Sequence, residues 1–161
     1  MKQGTWIFGL GSPHGDDQIG WLAATRLHAE CLPNFIPVSD SSRLLDLLPR
    51  CRKAILIDAC VAGKPAGSIT RMVWPDPRIE VQHSHSTHGM SAAAALQMAE
   101  KLGRLPETVV LFGVEIVQSL PGSTASPEVR GAIPELAAGI LEELRCERVL
   151  ASGRVMETPL P

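Results

Sequence analysis

Apolar runs and amphipathic stretches alternate from one end of the chain to the other. Residues 5–10 (TWIFGL) form a short apolar run punctuated by glycines, which predicts a buried strand. Across 19–32, Ile19, Leu22, Ala23, Leu27 and Cys31 recur near helical spacing, with polar residues between them, and predict a helix. Residues 35–39 predict a second strand, and 42–48 a short helix that Ser41 or Ser42 can cap. The run AILI at 54–57 predicts a strand that ends in Asp58. Beyond the turn-forming Gly63-Lys64-Pro65, residues 68–74 alternate polar and apolar as a half-exposed strand does.

The longest polar stretch, 75–88, reads as a loop. Residues 91–102, rich in alanine, leucine and methionine, predict a helix, and TVVLF at 108–112 the last strand, running towards Glu115. Residues 127–144 predict a helix in which Pro134 starts a new turn or a kink, because it has no N–H to donate. The last ten residues carry two prolines and read as a loose tail from about 152. Strands alternating with helices predict a three-layer α/β sandwich around a mostly parallel, twisted, five-stranded sheet. The all-apolar AILI and TVVLF fit strands covered on both faces.

Length and composition narrow the possibilities. At 161 residues the chain reads as one domain, 1–161. A formal charge of −2 provides no basic footprint for nucleic acid, so small molecules or proteins are the expected partners. Cys31, Cys51, Cys60 and Cys146 are scattered without a C-x-x-C pair and read as reduced thiols, most of them small core residues. No apolar stretch near the N-terminus reaches signal-peptide or membrane-span length, which predicts a cytoplasmic protein with no membrane partner. No large exposed apolar helix face is evident, and a monomer is expected.

In open α/β sheets ligands bind beyond the carboxyl ends of the strands. The first predicted strand runs into Gly11-Ser12-Pro13-His14-Gly15-Asp16-Asp17, the second ends at Asp40, the third at Asp58 and the fifth at Glu115, while the stretch after the fourth carries His83, His85 and His88. Each has an ordinary structural reading as well. Asp16 or Asp17 can cap the following helix, Asp40 can be a turn or cap residue, and His14, His83 and His85 can simply be solvated. Glu115 can be a strand-end charge and His28 a structural residue. Asp58 follows four apolar residues, and a carboxylate buried there is costly unless paired or metal-bound. Their common location is what points to a site.

Two motif readings compete. Gly9-Leu10-Gly11 after a strand suggests dinucleotide binding, but the third glycine is displaced to Gly15 and two acids follow where a pyrophosphate would dock. That reading is rejected. The run His83-Ser84-His85-Ser86-Thr87-His88 is similar to the H-x-H-x-D-H ligand run of metallo-β-lactamase-like hydrolases, with Thr87 in place of the aspartate and no later histidine to complete the set.

Taken in order, the motifs resemble those of the hydrogenase maturation proteases, over roughly residues 7–144. A G-x-G-N…D-D/E-x-x-G strand–loop–helix appears as Gly9-Leu10-Gly11-Ser12…Asp16-Asp17-Gln18-Ile19-Gly20, and an apolar strand ending in D-A as Ile55-Leu56-Ile57-Asp58-Ala59. Ser86-Thr87-His88-Gly89-Met90-Ser91, Gly113-Val114-Glu115 and Ser126-Pro127-Glu128-Val129 match three further motifs. Ser12 for asparagine, Gln18 for a common glycine, a loop before Asp16 one residue short, and Ser41-Ser42 for Gly-Gly after Asp40 depart from the pattern.

The resemblance implies a phosphorylase/hydrolase-like fold and an endopeptidase that trims the C-terminal extension of a nickel–iron hydrogenase large-subunit precursor after nickel insertion. It implies Asp17, Asp58 and His88 as metal ligands. Such an O,O,N set suits a borderline divalent ion such as nickel, zinc or manganese. The nickel would be presented by the substrate, although another divalent ion can occupy the site. Asp40 is the expected general base beside that trio. A non-catalytic nickel-binding chaperone on the same scaffold, and a small metallohydrolase using the His83–His88 run, are the alternative readings.

Overall fold

A computed structural model describes residues 3–28, 34–81, 83–84, 89–117 and 121–152. The strands are β1 (Gln3–Leu10), β2 (Phe35–Val38), β3 (Cys51–Val61), β4 (Ile69–Val73), β5 (His83–Ser84) and β6 (Thr108–Glu115). The helices are α1 (Ile19–His28), α2 (Leu44–Leu47), α3 (Pro77–Val81), α4 (Ala92–Lys101) and α5 (Pro127–Ser152). The main sheet has the order β2-β1-β3-β6-β4, with β5 added against the end of β3. β1, β2, β3 and β6 are mutually parallel and β4 is antiparallel to β6.

The predicted α/β class and mostly parallel five-stranded sheet hold. Side-chain alternation splits the core into two layers. Ile7, Ile55, Ile57, Val110 and Phe112 pack beneath α1 and α5, with Ile19, Leu27, Leu136 and Ile140. Phe8, Leu10, Ala54, Leu56 and Leu111 face the other way, onto Leu44, Ala92, Leu96 and Ala99 of α2 and α4. The central strands are apolar on both faces because helices cover both. One sheet clad by helices also sets aside the metallo-β-lactamase-like alternative, which needs two packed sheets.

The stretch 75–88 is not simply a loop, since it contains α3 and the two-residue β5. Too few residues are involved for any period to show. β5 is defined by its partner, pairing antiparallel with Cys60 and Val61. The direction of β4 corrects a second expectation. Ile69 lies opposite Val114 and Val73 opposite Val110, so β4 ends at the amino edge of the sheet, not the carboxyl edge. His83 reaches the carboxyl edge because the chain crosses back through α3 to pair β5 with the end of β3. β3 and β6 are also longer than predicted, and Asp58 lies within β3 rather than at its end. The helix expected to end near residue 144 continues to Ser152, with Pro134 inside it. Cys31 and the expected tail beyond residue 152 lie outside the described residues.

Candidate active site

The chain leaves β1 towards β2 on one side, and β3 lies on the other side of β1. The crevice between the carboxyl ends of β1 and β3 is therefore a topological switch point, the preferred ligand position in such sheets. β1 pairs with β3 as far as Gly9 opposite Ile57, after which the chain turns away and exposes the next stretch of β3. Asp58 occupies that position. Along β3, residues 54, 56, 58 and 60 share the face towards α4, so Asp58 follows Leu56 out of the core and into the crevice.

Glycines bring the other wall close. A Cβ on Gly9 would lie 2.7 Å from the Gly20 carbonyl oxygen, and one on Gly20 would lie 2.8 Å from that of Leu10. The start of α1 thus rests directly on the β1 backbone. Gly11 has φ +130°, and a Cβ there would overlap the Asp17 carbonyl and approach its Oδ1 to 3.1 Å. The G-x-G pattern therefore serves close helix–strand contact.

The two adjacent aspartates have different roles. Asp16 is buried, and both of its oxygens are taken: Oδ1 accepts from the Ser126 N–H at 2.6 Å and Oδ2 from the Val117 N–H at 3.1 Å. Neither aspartate caps α1 in the way a local reading allows. Asp17, half-buried, is the one whose charge reaches Asp58. Burial first, and then the Asp17 charge, push the Asp58 carboxyl up from 3.8 to about 7, against the opposing effect of the Ala59 N–H. Among the described residues no ion pair reaches either Asp17 or Asp58. Two neighbouring carboxylates, one buried, without a cation between them fit the requirements of a divalent ion.

Among the described residues no third His, Cys, Asp or Glu joins them in a metal-binding group. The expected third ligand, His88, lies outside the described residues, as does His85, and His83 is described only through its strand pairing. α4 leads into β6, which starts at the amino edge, so α4 begins at the carboxyl edge just after the Gly89–Ser91 approach. Ser91 caps it, accepting from the Ala94 N–H at 3.1 Å.

The remaining candidates are accounted for locally. Asp40 lies at the same edge, exposed, and accepts from the Ser42 N–H at 2.9 Å, so it starts the turn that Ser41 or Ser42 was expected to cap. These Ser42 hydrogen bonds hold its carboxyl below the usual range. Glu115 is buried and accepts from the N–H groups of Ala62, at 2.9 Å, and Gly63, at 3.0 Å, which clamps the turn after β3. Burial, with the charges of Glu115 and Asp58, pushes the Cys60 thiol up to about 12, and a thiol of that kind is no nucleophile at neutral pH. His14 Nδ1 accepts from the Gly122 N–H at 3.1 Å. Sequence reasoning missed the tie made by Asp16, whose partners lie 101 and 110 positions away.

Comparison with known proteins agrees with this fold. The family model described as hydrogenase maturation protease matches residues 39–143. Among solved structures, the hydrogenase maturating endopeptidase HybD from E. coli superposes with a TM-score of 0.74 at 21% identity, covering 91% of this chain and 94% of that one. The nickel–iron hydrogenase maturation protease HybD from Thermococcus kodakarensis gives 0.67 at 24% identity, covering 89% and 99%. A hydrogenase 2 maturation peptidase from a Thaumarchaeota archaeon gives 0.66 at 22% identity, covering 88% and 98%. No curated protein sequence matches. Fold and family match define an α/β peptidase. The chain belongs to the hydrogenase maturation protease family.

Proposed function

We propose that this protein is an endopeptidase that removes the C-terminal extension of a nickel–iron hydrogenase large-subunit precursor after nickel insertion. The family match and the shared fold support the peptidase and its substrate class. We also propose that Asp17, Asp58 and His88 recognise the nickel that the precursor carries. The observation behind this is the buried Asp58 carboxyl, raised to about 7 beside Asp17 with no ion pair among the described residues. A cation entering the crevice would relieve that repulsion. The nickel belongs to the substrate, so an incomplete protein shell would distinguish a loaded precursor from an empty one.

A metal held there can polarise the scissile carbonyl or lower the pKa of a water molecule. The chain's own part is to hold two carboxylates against the target and to accept a proton. Asp40, exposed at the same edge, is the carboxylate left over as general base, and its lowered pKa makes it a weak one. The protein acts as a cytoplasmic monomer in this reading. Among the described residues no helix is long and apolar enough to cross a membrane.

The test is to mix the purified protein with nickel-loaded and nickel-free precursor and follow the size shift. Cleavage of the loaded form alone, lost in Asp17→Ala, Asp58→Ala and His88→Ala, is the expected result. Normal cleavage by all three variants would remove the site assignment. Nickel binding and precursor association without shortening would identify the chaperone alternative instead.

A further inference from the structure

Among the described residues, the loop that carries Asp17 is fastened to the segment between β6 and α5 by five hydrogen bonds. The Gly15 N–H donates to the Ser123 carbonyl at 2.9 Å and Gln18 Nε2 to the same carbonyl at 3.1 Å. The Gly122 N–H donates to His14 Nδ1, and the N–H groups of Val117 and Ser126 donate to the two oxygens of Asp16. Asp16 is the buried centre of this set, with 1% of its surface exposed. It receives the backbone at the start of α5, where the helix dipole favours a negative charge. Asp17 follows it directly, and the Asp17 N–H is itself held by the His14 carbonyl at 3.2 Å.

From this arrangement we infer that Asp16 is a positioning residue for the metal-recognising pair: by clamping residues 117 and 126 to the β1–α1 loop it fixes where the Asp17 carboxylate sits relative to Asp58. A carboxylate is suited to the task because both donors are N–H groups and each needs an acceptor. Asparagine has the same shape, but its amide nitrogen would meet one of those N–H groups as a second donor. The loop would then lose one anchor and leave a partly buried N–H without its acceptor. The next residue in the chain is Asp17, so its side chain moves with that anchor. Groups that orient ligands from outside the coordination shell change metal affinity by about 10- to 100-fold when removed.

This inference rests on the assignment of Asp17 and Asp58 as a metal-recognising pair. The experiment is a titration of the metal-free protein with cobalt(II), read by visible ligand-field absorbance, with circular dichroism confirming that each variant is folded. Asp16→Asn is expected to bind cobalt about 10- to 100-fold more weakly than the wild type, with an altered absorbance band. Gln18→Ala removes one outer tie and is expected to lose about 3- to 5-fold.

Should Asp16→Asn fail to fold, the Gln18→Ala titration decides. Wild-type affinity and an unchanged band in the folded variants would overturn the inference while binding that still depends on Asp17 leaves the metal-site reading standing. A wild type that binds no cobalt, or binds it equally well as Asp17→Ala, would overturn both.

Discussion

Towards the amino edge of the sheet, Lys53 and Arg71 together hold the Glu143 carboxylate, the lysine at 2.8 Å, and Arg52 reaches Glu107 at 3.2 Å. At the carboxyl edge Asp16, Asp58 and Glu115 are buried, and among the described residues none of them forms an ion pair. Backbone N–H groups satisfy Asp16 and Glu115, which makes these two acids architectural. Among the described residues, Asp58 has the Ala59 N–H alone against the combined effect of burial and Asp17. One end of the sheet thus pairs its carboxylates with basic side chains, while the other keeps a buried one whose pKa burial and a neighbouring charge raise. The contrast separates acids held by partners from one that its surroundings destabilise.

Four measurements test this contrast. The largest effect is expected on cleavage, where Asp17→Ala or Asp58→Ala should reduce the rate by more than about 100-fold, because a lost ligand exceeds the effect of a lost supporting group. Precursor shortening under single-turnover conditions reads it.

Next comes stability of the metal-free protein. The folded pKa of Asp58, about 7, lies above its ordinary 3.8. Its contribution is therefore fully present below 3.8, falls as the pH rises, and is lost once the pH passes about 7. Asp58→Asn has no such loss and should be more stable than the wild type at pH 8 by about 2–4 kcal/mol, with the gap closing towards acid. Urea unfolding across pH checks it, and equal stability at pH 8 would contradict the strained-carboxylate account.

Glu143 should behave in the opposite sense. Burial alone would raise its pKa, but its hydrogen bonds to Arg71 and Lys53 bring it below the ordinary 4.5. Its stabilisation is thus present above that value and lost as the pH falls through the lowered folded one. Glu143→Gln should lower stability at pH 7 by about 1–3 kcal/mol, because Lys53 is left half-buried without its partner. The deficit should shrink in acid. The smallest change is expected for Arg52→Ala, whose pair with Glu107 is exposed on both sides and contributes within about 0.5 kcal/mol in a thermal melt.

Much of the frame was legible because central parallel strands and long helices carry their signal locally. TWIFGL, AILI and TVVLF lie within β1, β3 and β6, and the alanine-rich run is α4 with Ser91 as its cap. What escaped was decided by distant partners. β4 alternates as an exposed strand should, but nothing in its five residues states that it pairs with β6 and not with β3, or in which direction. β5 is two residues long and is a strand only because Cys60 and Val61 lie beside it. Asp58 was readable as a site candidate from its position after an apolar run, and Asp17 from the family resemblance. The tie that Asp16 makes was not, because the donors that claim it belong to residues 117 and 126.

The clasp around Asp16 also sets an order of assembly during synthesis. A nascent chain that has emerged only as far as residue 107 has made β4 without the strand it must lie against, since β6 comes between β3 and β4. It carries Asp17 and Asp58 as well, but neither Val117 nor Ser126 yet exists to hold the loop between them. Ribosome-bound fragments therefore contain the acids without the cleft. The cleft closes when Val117 and Ser126 return to the loop after β1.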